Sequence, residues 1–221
     1  MFLSVFIRHD PCSSVFQRFA VKKIVIASNN PGKLHELYAL LKPLGIEAIA
    51  QGELGVGEAE EPHETFLENA LAKARHASQA TGLPALADDS GLCVPALGGE
   101  PGVHSAHFAG REGTREARDA RNNAKLVASL ANMQDRSAFY YCVLVMVQSP
   151  HDPTPVVVDG TWHGKIARAP RGSGGFGYDP WFQTEQLGLT AAELDPQDKN
   201  RLSHRGKALA LLAARLAAHA G

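Results

Sequence analysis

Asp88 and Asp89 stand side by side, behind the apolar run Leu83-Pro84-Ala85-Leu86-Ala87 and ahead of Ser90-Gly91. Carboxylates so placed can accept a proton, hold a divalent cation or cap a turn. The apolar run reads as a strand that ends at the two acids, and strand ends in α/β proteins are where active-site groups gather. Neighbours on a strand point to opposite faces, so one acid is expected to face a cleft and the other to cap the following turn. A carboxylate held near phosphate oxygens requires a divalent cation between them, and hard oxygen ligands suit magnesium. The competing reading is a turn with both acids solvated.

A second group with chemical capacity is Ser28-Asn29-Asn30-Pro31-Gly32-Lys33. Before it, Ile24 to Ala27 is apolar and largely β-branched, as in a buried strand. Ser28, Asn29 and Asn30 can cap a helix beginning here, Pro31 suits a first helical position, and Leu34, Leu37, Leu40 and Leu41 form an apolar stripe. The pattern predicts strand, tight polar loop and helix. Backbone donors at such a helix start, with Lys33, can hold phosphates. The alternative is a capped surface helix with a solvated lysine.

The third group is Phe176-Gly177-Tyr178-Asp179-Pro180, behind the basic, glycine-rich run Arg168 to Gly175. Phe176 can offer a ring to a planar base and Asp179 an acceptor to its edge donors. An ordinary surface loop would have the same composition.

Elements predicted around these groups are a strand over Ile46 to Ala50, an acidic loop over Glu53 to Glu64, and a helix from Thr65 to Ala77. Phe66, Ala70, Leu71, Ala74 and Ala77 make the inner face of that helix. Val94 to Phe108 reads as a long loop and Glu112 to Met133 as a charged helix broken near Asn122-Asn123. Ser137 to Gln148 and Pro155 to Ile166 form an antiparallel hairpin, and a last helix runs from Ser203 to Ala218. The outcome is a mixed α/β protein. Its polar segments at 28–36, 88–91, 168–180 and 199–205 are expected to line one cleft between two lobes. Residues 1–20 fit no element and are read as an N-terminal extension to a single domain over 21–221.

The bulk composition narrows the partners. The chain has 221 residues, a formal net charge of -1 and 44% hydrophobic residues. It has no broad basic field for a nucleic-acid polymer, and its local Lys and Arg clusters suit a small anion instead. Cys12, Cys93 and Cys142 are too few for a disulfide framework or a zinc cluster, with Cys142 read as buried. No stretch is long enough to cross a bilayer, so a cytoplasmic location without membrane partners is expected.

In these segments the chain resembles the Ham1-like family of inosine triphosphate pyrophosphatases. The match runs from about Val21 to Leu216. It comprises Ser28 to Lys33 with Glu36, Thr65-Phe66-Leu67-Glu68-Asn69-Ala70 with Lys73, and Asp88 to Leu92. Pro101-Gly102-Val103, Gly174 to Pro180 and Ser203-His204-Arg205-Gly206-Lys207 complete it, in family order.

The resemblance implies an elongated mixed sheet flanked by helices, hydrolysis of dITP, ITP and XTP to monophosphate and pyrophosphate, a need for Mg2+, and a homodimer. It places Ser28, Asn29, Asn30, Pro31, Gly32, Lys33 and Lys73 on the triphosphate, and makes Asp89 the general base and a metal ligand with Ser90 touching substrate. Glu60 is the implied second metal ligand, with Glu58, Glu61 and Glu64 as neighbours that could take its place. Phe176, Gly177, Tyr178, Asp179, Lys199, His204 and Arg205 form the implied base pocket, with Arg205 and then Lys199 as readers of the purine C6 oxygen. Apart from the resemblance, Leu97, Val103 and Phe108 in the loop after Val94 are apolar groups either exposed for a dimer contact or tucked under the loop as core. Two other readings remain open, a Maf-like pyrophosphatase acting on other modified nucleotides and a non-catalytic nucleotide- or RNA-binding module.

Overall fold

The apolar run at Ile24 becomes a central strand of a six-stranded sheet. The structure, a computed structural model, describes residues 23–219. The expected extension over residues 1–20 and the start of the fold at Val21 lie outside the described residues. Strand β1 (Lys23–Ile26) lies between β2 (Glu47–Ala50) and β3 (Ala85–Cys93), parallel to both. Strands β4 (Ser137–Val147), β5 (Val156–Ile166) and β6 (Phe182–Thr184) continue antiparallel, in the order β2-β1-β3-β4-β5-β6. The α-helices are α1 (Pro31–Leu41), α2 (Phe66–Thr81), α3 (Arg115–Ser129), α4 (Pro196–Leu202) and α5 (His204–His219).

Strand alternation divides the apolar residues between the two faces of the sheet. Ile24, Ile26, Leu86, Leu144 and Met146 pack on Leu37 and Leu41 of α1 and on Leu209 and Leu212 of α5. Val25, Ala85, Ala87, Val143 and Val145 pack on Ala70, Ala74 and Ala77 of α2. A third cluster joins Leu126 and Leu130 of α3 to Tyr140, Trp162, Ile166 and Phe182. Strands β4 and β5 contribute to more than one cluster, so two lobes share one sheet. Helix α5 crosses β5 at Gly160, where a Cβ would run into the His204 carbonyl oxygen and lie 2.8 Å from the Ala208 nitrogen. Only glycine admits the helix start that carries His204 and Arg205.

Several expectations change. Strand β3 does not end at the two acids but runs through them to Cys93, because β4 pairs with it along its length, Asp88 opposite Leu144 and Asp89 opposite Val143. Helix α3 is unbroken at Asn122-Asn123. Both side chains bond to other loops, at Ala109, Ser105 and Gly177, rather than competing for their own backbone. The last helix stands as expected at His204–His219, but a short helix over Pro196–Leu202 that was not expected precedes it. The two meet at Ser203, whose Oγ accepts from the Gly206 nitrogen at 3.1 Å. Phe108 is buried in the third cluster and Leu97 packs on it, so of the two readings of this loop the core one holds for both.

Candidate active site

The local structure of each polar segment follows from its caps. Asn30 is the N-cap of α1, its Oδ1 accepting from the nitrogens of Gly32 at 3.0 Å and Lys33 at 3.2 Å. Thr65 caps α2, accepting from the Glu68 nitrogen at 3.2 Å. These caps orient α1 so that Lys33 and Glu36 face the sheet, and α2 so that Lys73 does.

Asp88 and Asp89 project to opposite faces of β3 and meet different cations. Asp88 is fully enclosed, bonded to Lys33 Nζ at 2.6 Å and Arg205 Nε at 2.7 Å. Burial opposes its charge, but Arg205 and Lys33 overrule it and hold the carboxyl well below the usual range. It is the anchor of an ion-pair network, not the turn cap expected. Asp89 Oδ1 accepts from Lys73 Nζ at 2.7 Å, and Lys73 also reaches Glu61 at 3.0 Å. Burial outweighs the attraction of Lys73 and Lys33, so the Asp89 carboxyl titrates above the usual aspartate range. Its Oδ2 is buried without a hydrogen-bond partner among the described residues.

At the other end of the cleft, Phe176 rests on Gly32, where a Cβ would lie 2.5 Å from the ring. Lys199 Nζ and the guanidinium carbon of Arg115 lie 4.9 and 4.8 Å from the ring centroid. Asp179 is occupied by its own loop and its neighbours. Its Oδ2 accepts from the Phe176 nitrogen and from Lys199, both at 2.8 Å, and its Oδ1 from Tyr140 at 3.3 Å. It is therefore a loop anchor rather than a free acceptor for a base edge. Tyr178 is also buried, donating to the Ser105 carbonyl at 2.9 Å.

Arg205 is only 2% exposed and donates to Asp88, to Glu36 and to Ser90 Oγ at 2.9 Å. Glu36 also accepts from Lys199 at 2.7 Å. Burial disfavours the charge on Glu36, yet Arg205 and Lys199 hold its carboxyl below the usual range. His204 stacks on Tyr140 with centroids 4.8 Å apart, and burial together with Arg205 pushes its imidazole well below the usual histidine range. A neutral ring results, with Nδ1 unpartnered among the described residues.

These residues line one cleft of about 950 Å³ between the lobes. Ser28, Asn29, Asn30, Pro31, Lys33, Glu58, Glu60, Glu61, Lys73, Asp88, Asp89, Ser90, Phe176, Gly177, Lys199, His204 and Arg205 are on its wall. Glu64 is not. Arg168 and Arg171 line a separate hollow of about 590 Å³, so the expected segment 168–180 contributes only its second half. The sequence reading counted Arg115 only within a basic cluster over Arg111 to Arg121 and assigned no role to Asp119 and Asn123 of α3. Asp119 accepts from the Gly177 nitrogen at 3.1 Å, and Asn123 donates to the Gly177 carbonyl at 2.9 Å. The signal available was the polar face of a helix whose asparagines could not be solvated filler.

A two-lobed α/β fold with an acid–lysine pair at one end of its cleft and a ring with buried cations at the other defines a binder of small anions carrying a planar group. The chain belongs to the Ham1 family, which residues 24–215 match. The dITP/XTP pyrophosphatase of Burkholderia pseudomallei (strain K96243) is 62% identical over 197 residues, 89% of this chain and 94% of that protein. That of Nitrosomonas europaea is 62% identical over 192 residues, 87% and 93% of the two chains. A HAM1 protein structure from Coxiella burnetii aligns with a TM-score of 0.80 and 49% identity, covering 88% of this chain and 98% of that one. The Staphylococcus aureus Ham1 protein gives 0.78 and 40%, covering 90% and 100%.

Proposed function

We propose that this chain hydrolyses non-canonical purine nucleoside triphosphates (dITP, ITP, XTP and dXTP) to the nucleoside monophosphate and pyrophosphate, removing them from the nucleotide pool. The observation that carries the reading is Asp89, a buried carboxylate with raised pKa on the cleft wall, one oxygen fixed by Lys73 and the other without a hydrogen-bond partner among the described residues. A general base works best when its pKa approaches the working pH, and here burial moves it in that direction. Family membership favours this over a Maf-like enzyme.

The cleft wall also fits a cation. Nine Asp and Glu and seven Lys and Arg side chains line it, so a polyphosphate meets no surplus of positive charge. Among the described residues no three His, Cys, Asp or Glu side chains form a ready metal cluster. Magnesium suits such a wall, since it takes one or two carboxylates and completes its shell with water and substrate phosphates. Asp89 and Glu60 would hold it, with Glu58 and Glu61 beside them, and it would neutralise charge on the phosphate oxygens. In the step itself a water oxygen attacks the α-phosphorus and loses its proton to Asp89. The bond to the bridging oxygen breaks, and its electron pair leaves with pyrophosphate. Lys73 fixes Asp89, and Lys33 with the loop from Ser28 to Gly32 positions the triphosphate.

Phe176 provides the stacking face for the purine, and Ser90, Gly177 and the enclosed Tyr178 and Asp179 shape the pocket around it. Of the five N–H donors of Arg205, three are committed to Asp88, Glu36 and Ser90. The others, with Lys199 and His204 Nδ1, are the groups able to meet a C6 oxygen and to oppose the C6 amino group of adenine. A homodimer and a cytoplasmic location are carried by the resemblance alone. Among the described residues no helix is long and apolar enough to cross a membrane.

The test is pyrophosphate release from dITP, XTP, dATP, dGTP and dUTP, with and without magnesium. Release from dITP and XTP in magnesium only is expected, and equal rates on dUTP or release of orthophosphate would overturn the reading. Glu60→Gln should raise the magnesium concentration for half-maximal rate by ~10-fold or more. Glu61 is the carboxylate that touches Lys73. If Glu61→Gln shows that shift and Glu60→Gln does not, the ligand is Glu61.

A further inference from the structure

Of the seven Lys and Arg side chains on the cleft wall, four are neutralised by close carboxylates. Lys33 is held by Asp88, Lys73 by Asp89 and Glu61, Lys199 by Glu36 and Asp179, and Arg205 by Asp88 and Glu36. The other three are Arg111, Arg115 and Arg118, on the segment leading into α3 and on its first turns. Among the described residues, none of these has a carboxylate nearer than the 3.9 Å from Arg115 Nε to Asp119. Arg111 meets only the neutral His107 ring, at 3.2 Å, and Arg118 donates to the Arg111 carbonyl at 3.3 Å. Arg115 reaches across to Asn30, in the loop before α1, and sits over Phe176.

Their position within the cleft is set by the groups they face. His107 is depressed by burial and then by Arg111, with Arg118 contributing, while Glu61 pulls the other way. Glu61 touches Lys73, and Lys73 touches Asp89. Arg111 and Arg118 therefore lie towards the acid–lysine end and Arg115 towards Phe176, and Arg115 and Arg118, three apart, share one helix face. We propose that Arg111, Arg115 and Arg118 form an anion-binding arm for the two outer phosphates of the substrate, the pair that leaves as pyrophosphate, a role that rests on the hydrolytic function proposed for this cleft. Guanidinium groups meet phosphate through paired N–H donors. The inner cations already share their charge with buried carboxylates, whereas these three meet only a neutral ring, a carbonyl, the Asn30 side chain, the Phe176 face and, for Arg115, Asp119 at 3.9 Å. Arg115 touches both Asn30 of the loop before α1 and Phe176, and so ties seating of the outer phosphates to the position of Phe176.

The experiment compares wild type with Arg111→Ala, Arg115→Ala and Arg118→Ala in magnesium, measuring inhibition of dITP hydrolysis by inorganic pyrophosphate and by the nucleoside monophosphate. An arm for the leaving group predicts a rise of roughly 10-fold in the pyrophosphate inhibition constant of each variant, the size of one lost charge-assisted contact. The monophosphate constant should hold in Arg111→Ala and Arg118→Ala, whose contacts are His107 and the Arg111 carbonyl, and the melting temperature should hold in all three. Unchanged pyrophosphate inhibition, or equal losses for both products in Arg111→Ala and Arg118→Ala, overturns the proposal. Calorimetric titration of the same proteins with magnesium pyrophosphate separates it from the underlying reading. Should the chain hydrolyse none of the purine triphosphates yet bind pyrophosphate with these losses, the arm stands and the hydrolytic function falls. Hydrolysis with pyrophosphate affinity intact in all three variants leaves the function standing and removes the arm.

Discussion

Asp89→Asn is expected to lower turnover of dITP by at least ~10²-fold, the lower end of the loss for removal of a general base, while nucleotide binding persists. The two neighbouring acids show why the effect belongs to this one. Asp88 is held well below the usual carboxyl range by Arg205 and Lys33 against its burial, and both its oxygens are engaged. Asp89 is moved the other way by burial and keeps Oδ2 free. Paired carboxyl groups whose environments drive their pKa values apart carry different roles, and the raised one with an unpartnered oxygen is the better placed to take a proton. Asparagine retains the shape and a contact to Lys73 but cannot accept the water proton. Little change in melting temperature is expected, because the charge removed is one that burial opposes and Lys73 keeps Glu61.

The same shift fixes the pH dependence of the wild-type rate. Asp89 must be ionised to act, and its folded pKa lies above that of an ordinary aspartate. Activity should therefore fall on acidification at a higher pH than an unperturbed aspartate would give. Stopped assays of pyrophosphate release across pH, with binding measured by calorimetry, check both claims. Near-normal turnover in Asp89→Asn would move the base to another carboxylate of the cleft wall.

The sequence discloses what local pattern can carry. Asn30 and Thr65 are legible as caps because their side chains can act only where a helix begins. The opposed directions of Asp88 and Asp89 follow from the two-residue period of a strand. Their different fates do not, because Arg205 meets Asp88 across 117 residues of chain and Lys199 meets Glu36 across 163. No local periodicity encodes such pairs. Turn-forming composition also misled at Ser90-Gly91, where pairing with β4 extends the strand. Strand β6 has three residues and α4 seven, too few to show a hydrophobic period. Residue types at 176–179 point to a ligand loop, but they do not show that Asp179 is consumed in holding it.

Arg205→Ala is expected to lower the melting temperature by roughly 10 °C or more, which follows from the ~3–5 kcal/mol lost when one partner of a buried ion pair is removed. The side chain is 2% exposed, and without it Asp88 keeps only Lys33, and Glu36 only Lys199, as cationic partners. The sign of the pH dependence distinguishes this electrostatic cause from lost packing. Asp88 and Glu36 have folded pKa values below their ordinary ones. Their ionised forms thus contribute stability that is complete above the unfolded carboxyl pKa and is lost as pH falls through the lowered folded values. Removing Arg205 takes that contribution away, so the gap between wild type and variant should be widest near neutrality and should narrow in acid as the carboxyls protonate. A gap independent of pH would mean that the guanidinium acts by filling space. Catalysis supplies the second readout, taken at a temperature where the variant is folded. If a spare N–H of Arg205 meets the C6 oxygen, kcat/KM for dITP drops more than for dATP. Equal losses would confine Arg205 to holding β3, α1 and α5 together.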